Sequence, residues 1–118
     1  MQRPIDIPSL VNLDRDKLVP YTLDGPDHPG LNWLPITYDP KTFRGSYYFQ
    51  MEPGAVTKPH THVGYEEFLV LEGEAIEPDG RVLKAGDFVT FKPGSYHNTR
   101  TETGCLLIVF EWNNDTQG

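Results

Sequence analysis

The sequence predicts an all-β, single-domain jelly-roll barrel, and three observations carry that prediction. Glycine and proline number 11 each in 118 residues, which favours short strands joined by tight turns. In the second half, Gly73, Gly80, Gly86, Gly94 and Gly104 recur every six to ten residues, the cadence of consecutive antiparallel strands. No stretch carries the apolar period of a helix of about ten residues. At this length the chain makes one domain with a real core and no room for a second.

Residues 1–30 read as an extended, proline-punctuated arm. Within it, residues 10–13 suit a short edge strand, and residues 13–18 one helical turn with Asn12 as its cap. Residues 24–30, rich in Asp, Gly and Pro and carrying His28, form a loop. The barrel is expected over residues 31–112. It begins with a strand over 31–38 interrupted at Pro35, a turn at 39–41, and an aromatic-rich strand over 44–51 ended by Glu52-Pro53-Gly54. A strand over 66–71 is closed by Gly73, and strands over 74–77 and 81–84 flank the turn Pro78-Asp79-Gly80. Strands follow over 87–91 and 97–100. After a turn at 101–104, Cys105–Trp112 is nearly all apolar and is expected to be buried on both faces. Residues 113–118 read as a flexible tail.

The net charge of −7 argues against nucleic acid and anionic membrane surfaces, which attract basic patches. No apolar run approaches the roughly 20 residues of a membrane span. Met1-Gln-Arg-Pro-Ile-Asp lacks the apolar core of a signal peptide. The single cysteine, Cys105, excludes an internal disulfide and makes a reducing cytoplasm the expected address. Its apolar neighbours mark it as a buried strand residue rather than a nucleophile.

Function concentrates in residues 54–73 and 93–97. His60 and His62 are two apart, so on a strand both face one way, whereas a helix would separate them by roughly 200°. Pro59 also disfavours helix there. A short bend at Val63-Gly64-Tyr65 returns Glu66 to the same side. A third histidine, His97, follows Pro93-Gly94. Three imidazoles and one carboxylate suit one divalent transition metal: Fe(II) or Zn is expected, and Mn, Ni and Co fit the same donors. Glu67 is a competing ligand, but alternation puts Glu66 on the face of Phe68 and Val70 and turns Glu67 away, where it would at most orient a histidine. An isolated histidine is ordinarily a surface or satisfied core residue; here three of four fall in framed positions.

The spacing Gly54, five residues, His60-x-His62, three residues, Glu66, six residues, Gly73 resembles the first motif of the cupin superfamily. Gly86 with Pro93-Gly94-Ser95-Tyr96-His97 resembles the second, with proline and histidine closer together than usual and Thr101 near the place of the usual asparagine. With Gly104-Cys105 before the last strand, residues 30–112 resemble the ChrR-like cupins. The resemblance implies a double-stranded β-helix, His60, His62, Glu66 and His97 as metal ligands, and a homodimer formed through sheet edges or the extended N-terminal arm.

ChrR-like cupins include enzymes resembling acetylacetone- and dihydroxyacetophenone-cleaving dioxygenases. A non-haem metal oxygenase acting on a small diketone or hydroxyketone is therefore the first reading. The aromatics Tyr47, Tyr48, Phe49, Phe68 and Phe91 either line its pocket or, for most of them, fill an ordinary core. A non-redox isomerase or lyase is the second; it needs an acid–base group, for which Tyr48, Tyr96, Arg44 and Arg100 are the polar candidates near the motifs. A stand-alone metal-binding sensor module is the third.

Overall fold

The computed structural model of the protein describes residues 2–23, 25 and 28–113. Among them run nine strands: β1 (Val19–Pro20), β2 (Leu31–Pro35), β3 (Gly45–Met51), β4 (His60–Thr61), β5 (Tyr65–Ile76), β6 (Val82–Lys84), β7 (Phe88–Phe91), β8 (Tyr96–His97) and β9 (Cys105–Trp112). The large sheet has the order β1-β2-β3-β9-β5-β6, with β7 also on β5; β4 and β8 form a separate pair. Every pairing among these strands is antiparallel. The all-β jelly roll expected from the turn cadence is the architecture observed. No helix among the described residues is long and apolar enough to cross a membrane.

Alternation builds the core. Tyr47, Phe49 and Met51 of β3 point inward against Phe68 and Val70 of β5 and Leu107 and Val109 of β9. Met51, Val70 and Leu106 are the largest fully buried side chains. Cys105 is buried too, and burial pushes its thiol up to about 11, as befits an inert strand residue.

Several local expectations are corrected. Gly73 does not end its strand: β5 runs through it for twelve residues. The register against β9 shifts between Val70 and Glu72, leaving Leu71 as a bulge, and Gly73 follows at φ +75°. A Cβ at Gly73 would run into the Gly104 carbonyl oxygen, so glycine lets the strand bend and continue toward β6. The expected strand over 97–100 is only Tyr96–His97. Beyond it, Arg100 makes isolated bridges to Val56 and Ile76, while Thr99 O accepts from Thr57 N and Thr99 N donates to the Thr57 hydroxyl, each at 2.8 Å.

β9 is buried on both faces only over Cys105, Leu106 and Leu107; Trp112, at its end, is exposed. Residues 10–13 form no strand and are mostly exposed. The helical turn is a 3₁₀ turn at Arg15–Lys17, capped by Asp14 rather than Asn12, with the Asp14 carboxylate accepting from the Asp16 N–H at 3.0 Å. β1 pairs with β2, so the sheet starts at Val19, inside the stretch read as arm. Of the 24–30 loop, positions 24, 26 and 27 lie outside the described residues, as does the 114–118 part of the expected tail.

Candidate metal centre

The short pair β4–β8 sets His60 directly opposite His97 and Thr61 opposite Tyr96. Side chains directly opposite in an antiparallel pair are close neighbours, and here both histidines turn to the same side. His62 is fixed by its own backbone: its N–H donates to Ser95 O at 2.8 Å, and its carbonyl accepts from Gly94 N at 2.8 Å. The chain then bends at Val63-Gly64 and enters β5 with Glu66 facing inward. His62 and His97 are buried and His60 is exposed.

The donor atoms converge. His62 Nε2 lies 2.7 Å from His97 Nε2. Glu66 Oε1 is 3.4 Å from the former and 3.6 Å from the latter. One ligand atom from each of His60, His62 and His97 lies within 4.8 Å of the others. Nitrogens bound to a common ion at about 2.1 Å and at right angles stand about 3 Å apart, so this spacing fits a shared ion.

Two of the remaining ring nitrogens have partners of the kind that orients metal-ligating histidines. His60 Nδ1 lies 2.9 Å from the Lys58 carbonyl oxygen, and His97 Nδ1 lies 2.9 Å from Glu77 Oε1. Phe91 stacks on the His97 ring at 3.8 Å.

The metal-free electrostatics follow from burial and these carboxylates. Burial lowers the affinity of His62 for a proton; Glu66 opposes this, while His60 and His97 add to it. Burial works the same way on His97, but hydrogen bonds to Glu66 and Glu77, with their charges, outweigh it and raise this imidazole to about 9. A proton and a metal ion held by this cluster would therefore compete for His97 Nε2.

Glu67 faces away from the cavity. It accepts from Thr90 Oγ1 at 2.8 Å and from the Trp112 indole at 2.9 Å.

A cavity of about 500 Å³ opens over the cluster. Tyr47, Phe49, Phe68, Leu107 and Val109 line it, whereas Tyr48, Tyr96, Arg44 and Arg100 are not among its walls. Tyr96 is largely exposed, and Arg100 pairs with Glu102 at 3.2 Å on the surface.

Two carboxylates escaped the sequence reading. Glu77 is buried, hydrogen-bonded to His97 and accepting from the Thr99 hydroxyl. The Ile76–Arg100 bridge brings it there, and nothing local in the sequence marks it. Glu111 lines the cavity, and one of its oxygens lies within 4.8 Å of ligand atoms on His62 and Glu66. A lone acid in an otherwise apolar strand was the available signal. Tyr47 hydrogen-bonds Glu111; burial holds its phenol well above the usual range, and the charges of Glu111 and Glu66 add to this. His28 also reaches the cavity, edge-on to Tyr21 and 2.9 Å from the Leu23 carbonyl oxygen.

Comparison with known proteins agrees with this architecture. The ChrR Cupin-like domain family matches residues 20–115, and the chain belongs to that family. Among solved structures, an acetylacetone dioxygenase from Acinetobacter johnsonii superposes with a TM-score of 0.74 at 17% identity, covering 94% of this chain and 78% of that one. The polyketide cyclase RemF from Streptomyces resistomycificus gives 0.68 at 20% identity, covering 87% and 79%. The complex of Rhodobacter sphaeroides SigE with the anti-sigma ChrR gives 0.59 at 21% identity, covering 70% of this chain and 45% of that one. At these identities the likeness is one of fold. Among curated proteins no sequence matches this chain at a significant level.

Proposed function

We propose that this ChrR-like cupin is a metal-dependent oxygenase that cleaves a small diketone or hydroxyketone. His60, His62, Glu66 and His97 would hold one divalent ion, Fe(II) or Zn before Mn, Ni or Co. The observation that carries the reading is the cluster of His60, His62 and His97, with Glu66 beside His62 and His97, at the wall of a largely apolar cavity. When bound, a divalent ion supplies positive charge for the paired oxygens of such a substrate and, if redox-active, electrons for reaction with dioxygen.

The chain's own residues do the rest. Lys58 O and Glu77 hold the His60 and His97 rings in place. Phe68, Leu107 and Val109 exclude water and favour an apolar substrate body. Tyr47, kept protonated, donates to Glu111 and holds that carboxylate in the cavity.

That last pair favours a second reading, a non-redox isomerase or lyase, because Lewis-acid chemistry needs a nearby proton-transfer group and Glu111 is so placed. A stand-alone sensor module is the third. For the working assembly we infer a homodimer: Ile5, Ile7 and Leu10 of the arm are 80–95% exposed in the single chain, as apolar residues awaiting a partner surface would be.

The test is elemental analysis of untagged protein purified anaerobically, with oxygen uptake measured on β-diketones and hydroxyketones. Bound iron with substrate-dependent uptake is the expected result. Zinc without uptake would overturn the oxygenase reading in favour of the Lewis-acid or sensor readings.

A further inference from the structure

Phe43 has a backbone its side chain does not suit. Its φ is +58°, and among the described residues it is the one non-glycine residue with positive φ. That region is disfavoured for a bulky residue and is ordinarily left to glycine or asparagine. The turn between β2 and β3 imposes it. Asp39 N donates to Arg44 O at 2.7 Å, Phe43 N donates to Asp39 O at 2.8 Å, and the Asp39 carboxylate accepts from Lys41 N at 2.8 Å. Gly45 follows at φ +126°, where a Cβ would collide with the Thr37 carbonyl, so the turn cannot relax on that side.

The ring gains little from folding, because Phe43 is 61% exposed. Yet it lines the same cavity as His60, His62, Glu66 and His97. Exposed and cavity-lining together place it at the opening. The cavity is large as well: about 500 Å³ falls in the range of drug-sized ligands, and a five-carbon diketone would leave most of it empty.

We infer that Phe43 is a specificity-determining residue that covers a flat, unsaturated group of the ligand projecting from the metal end of the cavity toward the mouth. The ligand class is then an aryl-substituted or extended diketone rather than the smallest members. This rests on the diketone reading of the metal centre. An exposed aromatic residue held by a strained backbone at the wall of a cavity contributes little to the free protein and gains its contacts when the ligand is seated.

The test compares acetylacetone with 1-phenyl-1,3-butanedione by calorimetric binding to the zinc-loaded protein, alongside zinc stoichiometry and Tm. The wild type is expected to bind the phenyl compound at least ~10-fold tighter. Phe43→Gly should remove most of that preference, leaving acetylacetone affinity and zinc content unchanged and Tm equal or slightly higher. Phe43→Tyr should restore it. A Phe43→Gly protein with the wild-type preference overturns the role of Phe43 alone. So does one whose Tm falls by several degrees, since the ring would then serve folding. A wild type that holds zinc yet binds neither diketone overturns the diketone reading together with this inference.

Discussion

The two parts of the barrel are built differently. β3, β5 and β9 are long, pair over seven or eight positions, and bury Met51, Val70 and Leu106 almost completely. β4 and β8 are two residues each, pair only with one another, and carry His60 opposite His97. The long strands hold apolar surface out of water; the short pair holds polar rings whose proton and hydrogen-bond partners are chosen one by one. If the proposed site is right, stability and chemistry are carried by different residues, which makes them separable by substitution.

The largest separation is expected at the histidines. His97→Ala and His60→Ala should each lose at least ~100-fold in metal affinity and retain the far-UV circular dichroism of a β domain, because a proposed ligand is lost while β3, β5 and β9 keep their packing; His97→Ala also gives up the Phe91 stacking and the Glu77 hydrogen bond. Stoichiometric metal in both purified variants would show that these residues do not form the site.

The converse is Leu106→Ala on β9. It should cost about 2–5 kcal/mol in urea unfolding, while the folded fraction binds metal as the wild type does. A drop in metal per folded molecule would show that the two parts are coupled.

A finer cut is Glu77→Gln, which keeps shape and removes the charge behind His97. Competition with a chromogenic chelator should report a loss of about 10–100-fold in metal affinity. An unchanged affinity would reduce Glu77 to a structural hydrogen-bond partner of Thr99.

The smallest effect is in the metal-free protein and depends on pH. His97 binds its proton more tightly folded than unfolded, so its contribution is complete below its ordinary value of 6.5 and is lost as pH rises toward about 9. His62 is shifted down, so its contribution is complete above 6.5 and is lost as pH falls through its folded value. Metal-free protein should therefore be most stable near pH 6.5, with a decline on the order of 1–2 kcal/mol toward pH 9 in denaturation experiments. Glu77→Gln should lessen the alkaline decline, with Glu66 still holding part of it. A profile flat from pH 6.5 to 9 would mean that the carboxylates do not hold a proton on His97.

What was legible in the sequence was local. Two-residue alternation puts His60 and His62 on one side and sends Glu66 inward and Glu67 outward, and turn glycines announce many short antiparallel strands. Strand ends were less legible. Gly73 reads as a stop but acts at a bulge, because glycine chemistry alone does not distinguish a turn from a bend within a continuing strand.

The sequence by itself determined the β class, which rests on periodicity and turn chemistry within a few residues, and carried the histidine motifs whose resemblance to the ChrR-like cupins the family match over residues 20–115 bears out. Only the tertiary structure decided that Glu77 stands behind His97, that Glu111 and Tyr47 enter the cavity, and that Phe43 reaches its mouth. The reason is register. Which residues of distant strands meet is fixed by the Leu71 bulge, the isolated bridges of Arg100 and the tight turn over 39–44. A one-residue slip in any of them would turn a different set of side chains toward the site.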